Sequence, residues 1–319
     1  MMLVILDGFD ENLSLSSISK VYAYEKVLTM TNAAHRGSIQ VFHIKTMSAE
    51  DFDFAVQITE KMNWNLKTAD FEFMMELEPD GCFVLLEDSK KIGLATTVNF
   101  GSLAWFGNLI VIQSHRKRGA GSMLVKHSVE YLKRNHAKTI GLYAYLDRIL
   151  FYERLGFKRD SEFIVMNGNG FSFQSKSVPS KAAKQDLKEI IEFDCSCFGA
   201  SRRKLLEPVI LDKDNLSFVS IEEKGMIGYV VAKMYGRMGE IGPLVCQKGR
   251  EDVAINLLKS VLSRLEGYEV SIYVPSRENA ILNFLRTAGF AESFRVARMF
   301  FGSPVAKACV CMPESLERG

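Results

Sequence analysis

Residues 109–132 constrain this chain more than any other stretch. They open with Leu109-Ile-Val-Ile112, an apolar β-branched run that reads as a buried strand. Arg116-Lys-Arg-Gly-Ala-Gly121 follows as a short basic turn, and Met123, Leu124, Val125, Val129 and Leu132 then recur at helical spacing. Strand, glycine turn and helix together make an anion site. The first N–H groups of a helix have no internal partner, and the helix dipole favours negative charge there. Gly119 and Gly121 carry no Cβ, so a phosphate can approach the backbone closely. The physical reading is a pyrophosphate cradle; the alternative is a solvated basic turn. The run lacks the G-x-x-x-x-G-K-[ST] of a P-loop and the G-x-G-x-x-G of a dinucleotide fold.

The surrounding chain has the alternation of an α/β protein with a mixed sheet. A strand is expected over 41–45. Ser48 and Asp51 form a capping pattern for a helix whose face is Phe52, Phe54, Ala55, Ile58 and Met62. A second helix is expected over 68–77, strands over 82–87 and 92–100 joined as a hairpin, and a strand over 103–112 that enters the cradle. The cradle helix runs to about His136. A strand over 139–145, a helix over 148–155 ended by Gly156, and a closing strand over 163–167 complete the unit.

This order, Arg116-x-x-Gly119-x-Gly121 between strand and helix, and Tyr152-Glu-Arg-Leu-Gly-Phe157 downstream together resemble the GNAT superfamily of N-acetyltransferases. The resemblance implies acetyl-CoA as co-substrate and direct attack of an amine on the thioester. It implies that Leu109, Ile110 and Val111 offer backbone groups to the pantetheine. The N–H groups of Arg118, Gly119, Ala120, Gly121 and Ser122 would hold the pyrophosphate, with Arg116 and Lys117 near the phosphates. Tyr152 aligns with the family's tyrosine that protonates the leaving thiolate. The attacking amine must be neutral, so a base or water chain must take its proton. The strand before the loop has no carboxylate, unlike that of some relatives, and Asp70 on the second helix is the candidate base. Tyr145 stands where many relatives have asparagine. Trp64 and Trp105 fall on elements that line the family's acceptor pocket, although core packing is the plainer reading of each.

The chain then repeats itself. Gly156-Phe157 recurs as Gly289-Phe290, 133 residues on, and Leu124, Val125, Val129 and Leu132 fall on Leu257, Leu258, Leu262 and Leu265 at the same offset. Ile92-Gly93 and Phe100-Gly101 match Ile227-Gly228 and Tyr235-Gly236 at an offset of 135. Two tandem GNAT-like domains are therefore expected, over 41–170 and 171–319, after an N-terminal extension over 1–40 in which 21–30 reads as a strand or short helix. In the second copy Asp252 and Ala254 replace Gly119 and Gly121, so acidic charge faces the phosphate position and coenzyme A binding is expected to be lost. The second copy would wall the acceptor pocket or mediate assembly, which leaves a homodimer open.

A net charge of +2 gives no basis for a nucleic-acid groove. No apolar run nears the ~20 residues that span a bilayer, and the opening Met1-Met-Leu-Val-Ile-Leu6 lacks the pattern of a signal peptide. Six cysteines without a secretory signal point to reduced thiols and a cytoplasmic setting. Cys195/Cys197 and Cys309/Cys311 form two C-x-C pairs, for which small buried residues are a plainer reading than zinc ligands. His115 and His127 read as loop and helix-surface residues, and no metal is expected. The leading expectation is an acetyl-CoA-dependent N-acetyltransferase for a small-molecule or amino-acid amine. The competing one is a non-catalytic acyl-CoA-binding or protein-interaction module.

Overall fold

The computed structural model describes residues 41–173, 179–304 and 309–319. The expected extension over 1–40, with its element over 21–30, lies outside them. The first copy runs β1 (Phe42–Thr46), α1 (Phe52–Glu60), α2 (Thr68–Leu77), β2 (Cys82–Glu87), β3 (Lys90–Asn99), β4 (Leu103–Val111), α3 (Ala120–Arg134), β5 (Thr139–Tyr145), α4 (Ile149–Glu153) and β6 (Lys158–Asn169). The second runs β7 (Ser180–Lys181), α5 (Leu187–Phe198), α6 (Arg203–Leu211), β8 (Leu216–Glu222), β9 (Gly225–Tyr235), β10 (Met238–Gln247), α7 (Glu251–Arg264), β11 (Glu269–Pro275), α8 (Asn279–Thr287), β12 (Ala291–Phe301) and β13 (Cys309–Met312). Local chemistry sets several of these boundaries. The Ser48 N–H donates to the Asp51 carboxylate at the entry to α1, and Gly156 takes a left-handed φ of 92° after α4.

The thirteen strands among the described residues form one sheet in the order β1-β2-β3-β4-β5-β12-β6-β11-β10-β9-β8-β7, and β13 pairs with β10. Only β4 with β5 and β10 with β11 run parallel. The two copies have exchanged their last long strands. β5 is closed by β12 of the second copy, and β6 pairs with β11 and β12. The expected strand over 163–167 therefore does not close the first unit. Periodicity finds a strand but not its partner, and Phe163, Ile164, Val165 and Met166, all buried, suit a central strand in either half. Asn167 pairs with Ala291 and Lys158 with Phe300; each pair is the image of the other at the 133 offset, so a local two-fold axis passes between β6 and β12.

On one face of the sheet, Leu124, Val125, Val129 and Leu132 of α3 pack on Phe83, Leu85, Ile92 and Phe106. Their counterparts Leu257, Leu258, Leu262 and Leu265 are fully buried in the second copy. On the other face, α1 and α2 cover Val84, Leu94 and Ile110. A third cluster joins the copies there: Leu77, Val98, Leu103 and Trp105 of the first meet Leu205, Tyr229 and Val245 of the second. Cys197 at the end of α5 is disulfide-bonded to Cys309 at the start of β13, with Cα atoms 5.5 Å apart. This corrects the expectation of reduced thiols for that pair and removes one ground for a cytoplasmic setting. It also takes two of the four C-x-C sulfurs away from any metal. The described residues contain no group of three or more His, Cys, Asp or Glu placed to hold one. No helix among them is long and apolar enough to cross a membrane.

Candidate active site

β4 pairs with β5 only through Leu103, Ala104 and Trp105; beyond that point the two strands diverge. The break falls at a bulge. The register with β3 shifts between Ile110 and Gly107, and Asn108 sits at a left-handed φ of 49°. Its side-chain amide donates to Thr96 Oγ1 at 3.1 Å and Met74 Sδ at 3.2 Å, which anchors the bulge to β3 and α2. Leu109, Ile110 and Val111 follow it. Their edge toward β5 carries no strand among the described residues.

The turn after β4 is held open by side chains. Glu87 at the end of β2 takes His115 Nε2 at 2.7 Å and Arg118 Nη2 at 2.5 Å. Ser114 Oγ lies 2.7 Å from His115 Nδ1, so the tautomer that donates from Nε2 satisfies all three groups. His115 is thus a buried strut rather than a surface loop residue, and His127 is half-buried, its ring edge-on to Phe83 with centroids 4.6 Å apart. Arg116 Nε donates to the Val111 carbonyl at 2.8 Å, latching the turn to the strand end. Lys117 is exposed at a φ of 63° and pairs with no carboxylate among the described residues. Gly119 caps α3 at a φ of 85°, with open space where a Cβ would stand. The first N–H groups of α3 therefore face an open, positively charged mouth. Arg118 pairs with Glu87, while Arg116 and Lys117 have no acidic partner among the described residues.

Tyr152 lies on α4 between the rings of Phe151 and Phe157, at centroid distances of 5.0 and 5.8 Å. Its hydroxyl has no hydrogen-bond partner among the described residues, and burial pushes the phenol above its ordinary value against the opposing charge of Arg148. Trp64, between Asn63 and Asn65 at left-handed φ, donates from Nε1 to Tyr145 Oη at 3.0 Å. This bond joins the α1–α2 connection to the end of β5. Tyr145, Leu146 and Leu150 form an exposed apolar strip beside it.

Two candidates stand elsewhere. The Asp70 carboxylate accepts the Lys67 N–H at 2.7 Å and so caps α2. Trp105 is buried against Tyr143, Phe198 and Phe300, and its Nε1 donates to the Leu316 carbonyl at 3.3 Å. The residues missed by sequence reading are the braces Glu87 and His115, the bulge residues Gly107 and Asn108, and the C-terminal tail that meets Trp105. Only the bulge had a local signal, in Gly-Asn within an apolar strand.

The second copy lacks the cradle. α7 starts at Glu251, so the helix runs through the positions of Arg118 and Gly119, and Arg250 pairs with Glu222 and Asp252. Its groove is also filled. β9 takes one edge of β10 through Cys246, so β13, paired to residues 244–247, lies on the edge that β11 leaves after Ile241. Those residues match 109–112 at the 135 offset. The chain's own backbone fills in the second copy the groove that stands open in the first.

A sequence model of the acetyltransferase (GNAT) family matches residues 45–157, and one of the acetyltransferase (GNAT) domain matches 190–308. The chain is 22% identical over 266 residues to a holothin acyltransferase of a Pseudoalteromonas strain, covering 82% of this chain and 89% of that one. It is 22% identical over 205 residues to the uncharacterized N-acetyltransferase YitH of Bacillus subtilis, covering 63% and 71%. Among solved structures, the fold resembles a putative acetyltransferase of Pyrococcus horikoshii (TM-score 0.74, 20% identity, 90% of this chain and all of that one). It also resembles a tandem GNAT protein of the clavulanic acid biosynthesis pathway (TM-score 0.57, 12% identity, 83% and 100%). With both halves matched and the two-copy sheet in view, the chain belongs to the GNAT superfamily of N-acetyltransferases, as a transferase of the tandem two-domain type.

Proposed function

We propose that the first copy is an acetyl-CoA-dependent N-acetyltransferase that acylates the primary amine of a small molecule by direct attack. The contrast between two equivalent grooves carries this reading: no strand among the described residues pairs with the β5-side edge of β4 at residues 109–111, whereas β13 occupies its counterpart at 244–247. Leu109, Ile110 and Val111 offer the pantetheine amides an unpaired strand edge. The N–H groups of Arg118, Gly119, Ala120, Gly121 and Ser122 take the pyrophosphate, and Arg116 and Lys117 add charge. Tyr145, Leu146 and Leu150, exposed and apolar, are available to line the acyl-CoA. Tyr152 protonates the departing sulfur; a phenol raised by burial is fully protonated at neutral pH, and this one has no competing acceptor among the described residues. A relative named holothin acyltransferase supports a small-molecule acceptor. Free-thiol release from acetyl-CoA with a panel of amines tests the reading. One thiol per acylated amine is expected, and thiol release that no amine stimulates would overturn it.

A further inference from the structure

The tail after β13 crosses the sheet face that carries Trp105. Lys233 Nζ donates to the Glu314 carbonyl at 2.8 Å, Trp105 to that of Leu316, and Arg202 Nη1 to the backbone oxygen of Gly319 at 2.5 Å. Two glycines make room for it. A Cβ on Gly242 would stand 2.2 Å from the Pro313 carbonyl oxygen. A Cβ on Gly107, its counterpart at the 135 offset, would stand 2.6 Å from both Cβ and the carbonyl oxygen of Glu317. The tail thus runs from the bulge of the second copy to that of the first, and Glu317 arrives where β4 leaves β5.

The charges around it do not balance. Lys233 pairs with Glu240 at 2.9 Å and Glu314 at 2.6 Å. Arg318 pairs with Glu314 at 2.8 Å and Glu317 at 3.2 Å. Tyr235 and Tyr273 add neutral phenols, and Tyr273 donates to Glu240 at 2.7 Å. Two cations face three carboxylates in a largely dry site, an arrangement that favours uptake of one more positive charge. Glu314 and Arg318 are sealed, at 0% and 3% side-chain exposure, while Glu317 keeps 18%. Burial raises the Glu317 carboxyl, Arg318 opposes this, and Glu240 adds to it. Asp70 of α2 is engaged as a helix cap, and Glu72 and Glu76 of that helix face solvent.

We propose that Glu317 is the acceptor-side carboxylate of the first copy, binding the substrate as an ammonium ion and taking its proton. This rests on the acyl-transfer reading above. Glu317 takes one proton from the ammonium and passes it to solvent. The C–N bond forms as the C–S bond breaks, and the second amine proton replaces the one that Tyr152 gives to sulfur.

Glu317→Gln in the full chain tests the assignment, with thiol release measured from pH 5 to 9, acetyl-CoA titration and thermal melting alongside. Acetyl-CoA binding should stay at the parent value, and the melting temperature should hold or rise, because the cluster sheds excess negative charge. kcat/KM for the amine should fall on the order of 10²-fold, and the acidic limb of its pH profile should disappear. Glu317→Asp should restore part of the rate and the limb. A parent that turns over and a Gln variant with equal kcat/KM and the same pH profile would overturn the role of Glu317 alone. A parent that binds acetyl-CoA yet acylates no amine would overturn both readings.

Discussion

At the scale of single residues, burial pushes the Tyr152 phenol and the Asp51 carboxyl the same way, and their partners decide the outcome. Burial keeps the Tyr152 phenol protonated, as a donor to sulfur must be. Tyr152→Phe should lower kcat roughly 10² to 10³-fold while acetyl-CoA affinity, read by calorimetry, stays within about twofold; an equal loss in both would assign the ring to binding instead. Asp51 is fully buried, which alone would raise its carboxyl, but Lys45 at 2.7 Å and Lys91 at 2.5 Å outweigh this and hold it at about 2. Its folded value lies below its unfolded one, so its stabilisation is complete above about pH 4 and lost between about pH 4 and 2. By linkage this is worth roughly 2 kcal/mol. Asp51→Asn should remove that much stability at pH 7 and flatten the denaturant midpoint over the acid range. Asp51 was legible in the sequence as a cap, through Ser48 three residues before it. Its two lysine partners were not, because β1 and β3 bring them together from 6 and 40 residues away.

At the scale of elements, the strand–turn–helix of the cradle was legible because all its determinants are local: β-branched residues, two glycines, then apolar residues at helical spacing. The boundaries of α2, β2 and β5 follow the sequence reading for the same reason. What holds the cradle open was not legible. Glu87, which braces His115 and Arg118, lies about thirty residues upstream and has no motif around it. The filling of the second groove was equally hidden, because β13 is a short apolar strand whose partner, β10, lies far upstream in the sequence. The same composition can pair with any open edge.

At the scale of the whole molecule, the repeat foretold two copies but not their fusion. Each copy lends its last long strand to the other, so neither half closes its own sheet. The chain should therefore unfold as one unit. Scanning calorimetry should give a single transition with equal calorimetric and van't Hoff enthalpies, whereas two resolved transitions would show that the halves are independent. The asymmetry between the copies is the central claim: one groove stays open to an acyl-CoA, and the other is closed by the chain itself. Calorimetric titration with acetyl-CoA tests it most directly, on the parent chain and on a Gly119→Asp/Gly121→Ala variant that gives the first copy the residues of the second. One site per chain in the parent, with affinity lost at least tenfold in the variant, is the expected result. Two sites, or one site indifferent to the substitutions, would contradict the account.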